Sequence, residues 1–383
     1  MRFSTFVLKN VLRRRARSAL TMTGVGVAVA LVVVLVGLSD GFSDSFLHIY
    51  TNRDVGLVVS RADSISPLTT TLPQSVADEI ASLAGVREVG AGLIDGITID
   101  SWGTAMVMIQ GWPPGAYMLR ELKILQGEVL SDKDRKQKCI MVGRNLADFK
   151  KLKVGDVVPL SDEEYHVAGI FESDSDLENN MIILLLEDAQ KVLGKSGKIT
   201  GCTVRLKDGS DKGVQAVRAE IEGPLASRIS LEGKLRAKPP SEFVSSMKQL
   251  KVVKGFVWAV SAVALLIAAI FVLTIMVMSV FERTREIGIL RAIGWRPARV
   301  VRMILMESAL LSVGGGILGT VAGLASILSL SHLPMINGVV PAAMNPQIVV
   351  KGFAIAIFVG LIGAAYPAYW GSKLLPTEAL RHE

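Results

Sequence analysis

Four uncharged, apolar runs constrain this chain more than any other feature. Between Arg17 and Asp40 stand 22 residues without Asp, Glu, Lys or Arg, and between Lys254 and Glu282 stand 27. No charged residue occurs between Glu307 and Lys351, and a further 21 residues, Gly352 to Ser372, are uncharged. A helix rises about 1.5 Å per residue, so about 20 residues cross a hydrocarbon layer about 30 Å thick. The third run is divided by His332-Leu333-Pro334, Pro341 and Pro346. The expectation is four transmembrane helices, at 19–39, 255–281, 303–330 and 351–372, with a loop at 331–350. Arg13-Arg14-Arg15 precedes the first run as in a signal peptide. That run is longer than the usual stretch of about 7–15 residues and its exit lacks a small-x-small site, so it reads as an uncleaved anchor.

Arginine and lysine placement sets the orientation. Residues 1–18 carry Arg2, Lys9, Arg13, Arg14, Arg15 and Arg17 and no acid; residues 282–302 carry six arginines and two glutamates. Both belong on the cytoplasmic side of a bacterial plasma (inner) membrane. An even number of spans then returns the tail, 373–383, to the cytoplasm and leaves 40–254 outside. The net charge of +7 divides accordingly. Residues 41–254 hold 27 positive and 29 negative side chains, while the rest holds 15 and 6. The excess therefore reports topology and gives no support for a nucleic-acid partner. With 50% hydrophobic and 20% charged residues, disorder and collagen-like repeats are excluded.

The outer 200 or so residues suffice for a folded domain. Val55–Ser60 alternates as a strand, Pro73–Leu83 has helical spacing with Pro in its first turn, and Val86–Ile99 and Ala105–Gln110 read as strands. The order recurs later, with Cys202–Leu206 as strand, Ser210 capping a helix to about Ile221, and Arg228–Leu231 as strand. Two split βαβ units, 54–115 and 201–235, thus flank a β-rich insert at 116–200. Apolar stripes continue beyond the membrane at Phe42, Phe46 and Ile49, and at Phe243, Met247 and Leu250. The two extensions are expected to pack as a helical stalk, the alternative being membrane-surface helices.

Glu282-Arg283-Thr284-Arg285-Glu286-Ile287-Gly288-Ile289-Leu290-Arg291-Ala292-Ile293-Gly294-Trp295 is too charged for membrane burial, yet Ile287, Leu290 and Ile293 give it an apolar helical side. Gly294 and Pro297 end that helix. By spacing alone it either anchors to anionic lipid or docks into a cytoplasmic partner.

This stretch closely resembles the cytoplasmic loop of MacB/FtsX-like ABC transporter permeases. Tyr366-Pro367-Ala368-Tyr369-Trp370 followed by Lys373-Leu374-Leu375-Pro376-Thr377-Glu378-Ala379-Leu380-Arg381 is similar to that family's ending, and the order of one span, a large outer domain and three further spans matches it. The resemblance implies an α-helical membrane protein with an extracytoplasmic α/β domain made of a porter-like part and a smaller β-rich part. It implies that residues about 282–296 form a coupling helix contacting a cytoplasmic ABC ATPase. Glu282, Arg283, Arg285, Glu286, Ile287, Leu290, Arg291, Ile293, Gly294 and Trp295 are its candidate docking residues. The chain holds about 18 residues before its first span and no P-loop, since Gly194-Lys195-Ser196 has Ala189 where the first glycine belongs. The expectation is therefore a non-catalytic permease that binds no cofactor itself, ATP and Mg being bound by a separate ATPase subunit. Four helices enclose no lumen, so a second copy, or a homologous permease, is expected as partner. The macrolide-exporter resemblance brings in a periplasmic adaptor and outer-membrane channel. Lipoprotein release and a signalling or cell-division scaffold remain alternatives to export.

Gly37-Leu38-Ser39-Asp40-Gly41 and Gly314–Gly319 match hydrolase and dinucleotide patterns literally, but both lie in spans. Gly315, Gly319 and Gly323, and later Gly360 and Ala364, recur at the four-residue spacing of close helix packing. Glu307 is the acid inside an otherwise apolar span; a structural ion pair near Arg302 is favoured over a proton or substrate role. The four histidines show no metal-ligand spacing, and Cys139 and Cys202 are read as unpaired strand cysteines, a disulfide being the alternative.

Overall fold

A computed structural model describes residues 15–62, 70–99, 102, 104–231, 233–331 and 346–373. The basic residues Arg2 to Arg14, most of the 331–350 loop, and the tail motif beyond Lys373 lie outside the described residues. The described residues open with helix α1 (Arg15–Thr51), followed by β1 (Leu57–Arg61), β2 (Leu72–Pro73), α2 (Ser75–Ala81), β3 (Val86–Ile99), β4 (Thr104–Trp112) and β5 (Lys123–Gly127). Then come β6 (Cys139–Gly143), α3 (Arg144–Lys150), β7 (Val157–Leu160), β8 (Glu163–Glu172), β9 (Ile182–Leu185), α4 (Leu186–Val192), β10 (Lys198–Ile199) and β11 (Gly201–Leu206). The chain continues through α5 (Asp211–Glu220), β12 (Leu235–Lys238), α6 (Pro240–Ser246), α7 (Lys248–Glu282), α8 (Thr284–Ala292), α9 (Pro297–Ser331) and α10 (Pro346–Ser372). The described residues form two units, one of residues up to Ser39, Lys254–Leu330 and those from Pro346, the other of Asp40–Val253.

In the first unit, α1, α7, α9 and α10 are each long and apolar enough to cross a membrane. They pack through small residues. A Cβ on Gly315 would lie 2.8 Å from the Met22 carbonyl oxygen, one on Gly319 would overlap that of Gly26, and one on Gly323 would lie 2.9 Å from the Val33 side chain. The glycine stripe of α9 thus lies directly on the backbone of α1. On α10, Gly360 faces Ser312 and Ser308 so closely that Ser308 Oγ donates to the Gly360 carbonyl at 2.8 Å, and Ala364 is fully buried. Away from these seams Trp258, Val263, Leu266, Phe358 and Ile362 are exposed, as suits side chains whose solvent is hydrocarbon.

The second unit is built on a ten-stranded sheet in the order β12-β1-β11-β3-β4-β9-β6-β8-β5, with β7 paired to β8. Within it β1-α2-β3 and β11-α5-β12 are split βαβ units. Their parallel strands enclose one strand of the other unit, because β11 runs antiparallel to both β1 and β3, and β1 antiparallel to β12. The 14-residue β3 pairs with β11 through its first half and with β4 through its second. Since β4 continues in parallel register with β9, the insert extends the same sheet instead of forming a separate body. Both faces are covered, so β9 reads Ile-Ile-Leu-Leu without alternation: Ile182 and Leu184 join one core, Ile183 and Leu185 the other.

Three local expectations change. Pro73 belongs to β2, paired with Lys198, and the helix starts at Ser75. The segment predicted as a strand at Arg228–Leu231 closes a helical run instead, its Leu231 N–H bonding the Ala226 carbonyl at 2.7 Å. Its apolar residues Ile229 and Leu231 pack on the core, and the strand comes later at Leu235–Lys238, where Leu235 and Ala237 point inward. The insert also contains helices α3 and α4, each of which starts directly from a strand end without a side-chain cap to mark it.

The stalk residues do meet. Phe46, Ile49 and Tyr50 of α1 share one core with Phe243, Val244, Met247 and Leu250, and the Tyr50 and Phe243 rings stand edge to face at 5.9 Å. The second extension is interrupted: Met247 is extended (φ −60°, ψ 121°) between α6 and α7.

Candidate functional site

The segment singled out at 282–296 forms the connection between α7 and α9. At Arg283 the backbone leaves helical geometry (φ −109°, ψ 11°), which separates α7 from α8. The far end closes at Gly294, whose φ of +102° is open to glycine and strained for other residues. Three backbone bonds complete that cap: Ile293 N–H to Ile289 O, Gly294 N–H to Arg291 O and Trp295 N–H to Leu290 O, each 3.0 Å. Arg291 Nη1 adds a bond to the Trp295 carbonyl at 3.1 Å, and the Arg299 guanidinium stacks 4.4 Å from the Trp295 ring.

The predicted docking residues divide between two sides. Ile287 is buried among Val280, Val300, Met303 and Ile304, with Leu290 and Trp295 packed against the same cluster. Arg283 is also buried, donating to Glu307 Oε2 at 2.7 Å and lying 3.6 Å from Glu286. Glu282 pairs with Arg17 of α1. These residues fasten α8 to the spans, so Ile287 and Arg283 are not available to a partner. The ion pair expected near Arg302 is made with Arg283 instead, because α8 folds back alongside α9 and brings the guanidinium to Glu307.

The opposite side is open. Ile293 is 73% and Ile289 43% exposed, and Arg285, Glu286, Ala292 and Arg296 are exposed with them. Arg285, Ile289, Ala292 and Ile293 follow i, i+4, i+7, i+8, a single helical face, and Arg296 is exposed just past the Gly294 turn. Sequence reasoning missed Ile289 and Arg296. The signal was the four-residue spacing of two isoleucines bracketed by arginines. This side of α8 thus leaves two isoleucines exposed among arginines and Glu286.

In the outer unit a second set of buried charges ties the end of α1 to the sheet. Arg53 holds Glu178 through two bonds of 2.9 and 2.7 Å, and Arg205 donates twice to the Arg53 carbonyl, at 2.9 and 2.7 Å. Ser175 Oγ donates to the Ser45 carbonyl of α1 at 2.8 Å. Cys139 and Cys202 are free and buried, and burial pushes the Cys202 thiol up to about 12. Among the described residues no group of three or more His, Cys, Asp or Glu is placed to hold a metal ion.

Residues 18–223 match the MacB-like periplasmic core domain family and residues 258–376 the FtsX-like permease C-terminal family. The chain belongs to the MacB/FtsX-like ABC transporter permease family. An uncharacterized ABC transporter permease of Methanocaldococcus jannaschii is 29% identical over 399 residues, covering 99% of this chain and 97% of that one. The macrolide export ATP-binding/permease protein MacB of Escherichia coli is 25% identical over 398 residues, but the chain spans 60% of its length. Among solved structures, the extracellular domain of the transporter YknZ from Gram-positive bacteria aligns with 48% of this chain at a TM-score of 0.39 and 12% identity. The periplasmic region of MacB from Actinobacillus actinomycetemcomitans covers 52% at 0.39 and 13%. In this permease the FtsX-like match encloses α8 and its open face.

Proposed function

We propose that this permease couples ATP hydrolysis by a separate ATPase subunit to movement of its outer domain, for export from the extracytoplasmic side. The observation that carries the reading is the divided α8: one side is fixed to α9 through Ile287 and Arg283, and the other presents Ile289, Ile293, Arg285 and Arg296. A helix held this way transmits a push to the spans instead of yielding to it. Two helices contribute residues to both units, α1 (Arg15–Thr51) and α7 (Lys248–Glu282), and the outer end of α1 is bonded into the sheet domain through Ser45 and Arg53. This supports mechanical transmission as the mode of action. ATP and Mg would be bound by the ATPase, the termini would lie in the cytoplasm, and two permease copies would form the working unit, with an adaptor and an outer-membrane channel receiving the cargo.

Purification of the full chain in mild detergent, followed by mass spectrometry of stable partners, tests this. An ABC ATPase recovered in stoichiometric amount supports the coupling role. Consistent recovery of a wall hydrolase without any ATPase would replace it with a signalling role.

A further inference from the structure

A groove of about 450 Å³ runs along the first turns of α9 and across to α10, lined by Val301, Leu305, Met306, Ala309 and Leu361, with Arg302 as its charged member. Arg302 is exposed and has no anionic partner among the described residues. It is five residues past Pro297, about 8 Å along the helix, and so at headgroup depth in a span that starts there. A guanidinium at that depth snorkels into the headgroup layer, where the phosphate of an anionic lipid is the counter-ion within its reach. Its neighbours are provided for within the protein: Arg283 is bonded to Glu307 and Arg299 stacks on Trp295. Beyond Arg302, Leu305 and Ala309 continue the groove toward the membrane interior.

We propose that this groove binds an anionic phospholipid, the phosphate paired with Arg302 and one acyl chain lying along Leu305, Ala309 and Leu361. Glu282 and Glu307 of the spans are paired with Arg17 and Arg283, and Glu286 lies 3.6 Å from Arg283, so the counter-ion is assigned to lipid, a second copy of the chain being the competing outcome of the test. The site is separate from the open face of α8 and does not depend on ATPase docking.

Native mass spectrometry of the full-length chain in mild detergent, titrated with phosphatidylglycerol or phosphatidylcholine, tests the proposal. The wild type retains phosphatidylglycerol preferentially. Arg302→Gln, at an exposed position, lowers that retention about tenfold, the scale of one charge-assisted bond, while Arg302→Lys keeps most of it. Ala309→Phe fills the groove and lowers retention with Arg302 intact; Leu361→Trp, on the opposite wall, does the same if the first variant fails a thermal-unfolding check. Equal phosphatidylglycerol retention by wild type and Arg302→Gln overturns the proposal. So does a groove-filling variant that converts a two-chain species to one chain with lipid retention unchanged, which would make the groove a contact between copies.

Discussion

The Arg283 guanidinium donates to Glu307 Oε2 at 2.7 Å, and both side chains are buried. Arg283 sits at the break before α8, and Glu307 lies about three turns into α9, so the pair joins α8 to that span. A buried pair is costly to form and more costly to break. Glu307→Ala leaves the guanidinium unmatched and is expected to destabilise the chain by about 3–5 kcal/mol. Glu307→Gln, which keeps an acceptor, costs less. Thermal unfolding in detergent measures both, and an unchanged midpoint for Glu307→Ala would show that the pair does not hold the junction.

Glycine packing predicts a graded response. A Cβ on Gly319 overlaps the Gly26 carbonyl, whereas one on Gly255 meets nothing within 4 Å. Gly319→Leu is expected to cost at least about 1–3 kcal/mol through overpacking. Gly255→Ala should be neutral or mildly stabilising, by up to about 1 kcal/mol, since alanine is the better helix former. Equal effects of the two substitutions would mean that α9 does not seat on α1.

The buried native cysteines make topology measurable by labelling. Cys139 and Cys202 are 7% and 1% exposed, and burial raises both thiols above their ordinary value, so little thiolate is available near neutral pH. In intact cells a membrane-impermeant maleimide should label Lys212→Cys, in the outer domain, and should reach Arg296→Cys after permeabilisation alone. Labelling of position 296 in intact cells would invert the assigned orientation.

Glu163 bonds Lys191 at 2.7 Å and Lys138 at 3.1 Å, and these ammonium groups hold its carboxyl down to about 2 from an ordinary 4.5. The folded value lies below the unfolded one. The stabilisation is therefore fully present above about pH 4.5 and is lost as pH falls toward 2. The site is exposed, so the effect is small and screened by salt. Glu163→Gln should flatten the fall of the melting temperature across that window at low ionic strength; identical acid slopes for variant and wild type would remove Glu163 from the acid response.

The spans were legible because lipid leaves a helix few options, and a run such as Gly255–Phe281 satisfies its backbone in one way. The interleaved βαβ units were legible from spacing and from the Ser210 cap, whose Oγ accepts from Gly213 N–H at 3.2 Å. Other features depend on distant partners. Glu178 looks like one more acid in a run of acids until folding places Arg53 against it, 125 residues away in sequence. The orientation of α8 was hidden for a related reason. Ile287, Ile289, Leu290 and Ile293 surround much of a short helix, and only packing on Val300 and Met303 decides that Ile287 faces in while Ile289 and Ile293 face out.

The proposed coupling rests on ATPase docking at the open face of α8. The direct measurement is the affinity of the co-purifying ATPase for the detergent-solubilised permease, wild type against Ile289→Asp and Ile293→Asp, each with an unchanged melting temperature. Placing a carboxylate at an apolar interface centre is expected to weaken binding by at least about 2 kcal/mol, roughly thirtyfold, in either variant. Wild-type affinity in both variants would rule out docking at this face and place the docking surface elsewhere.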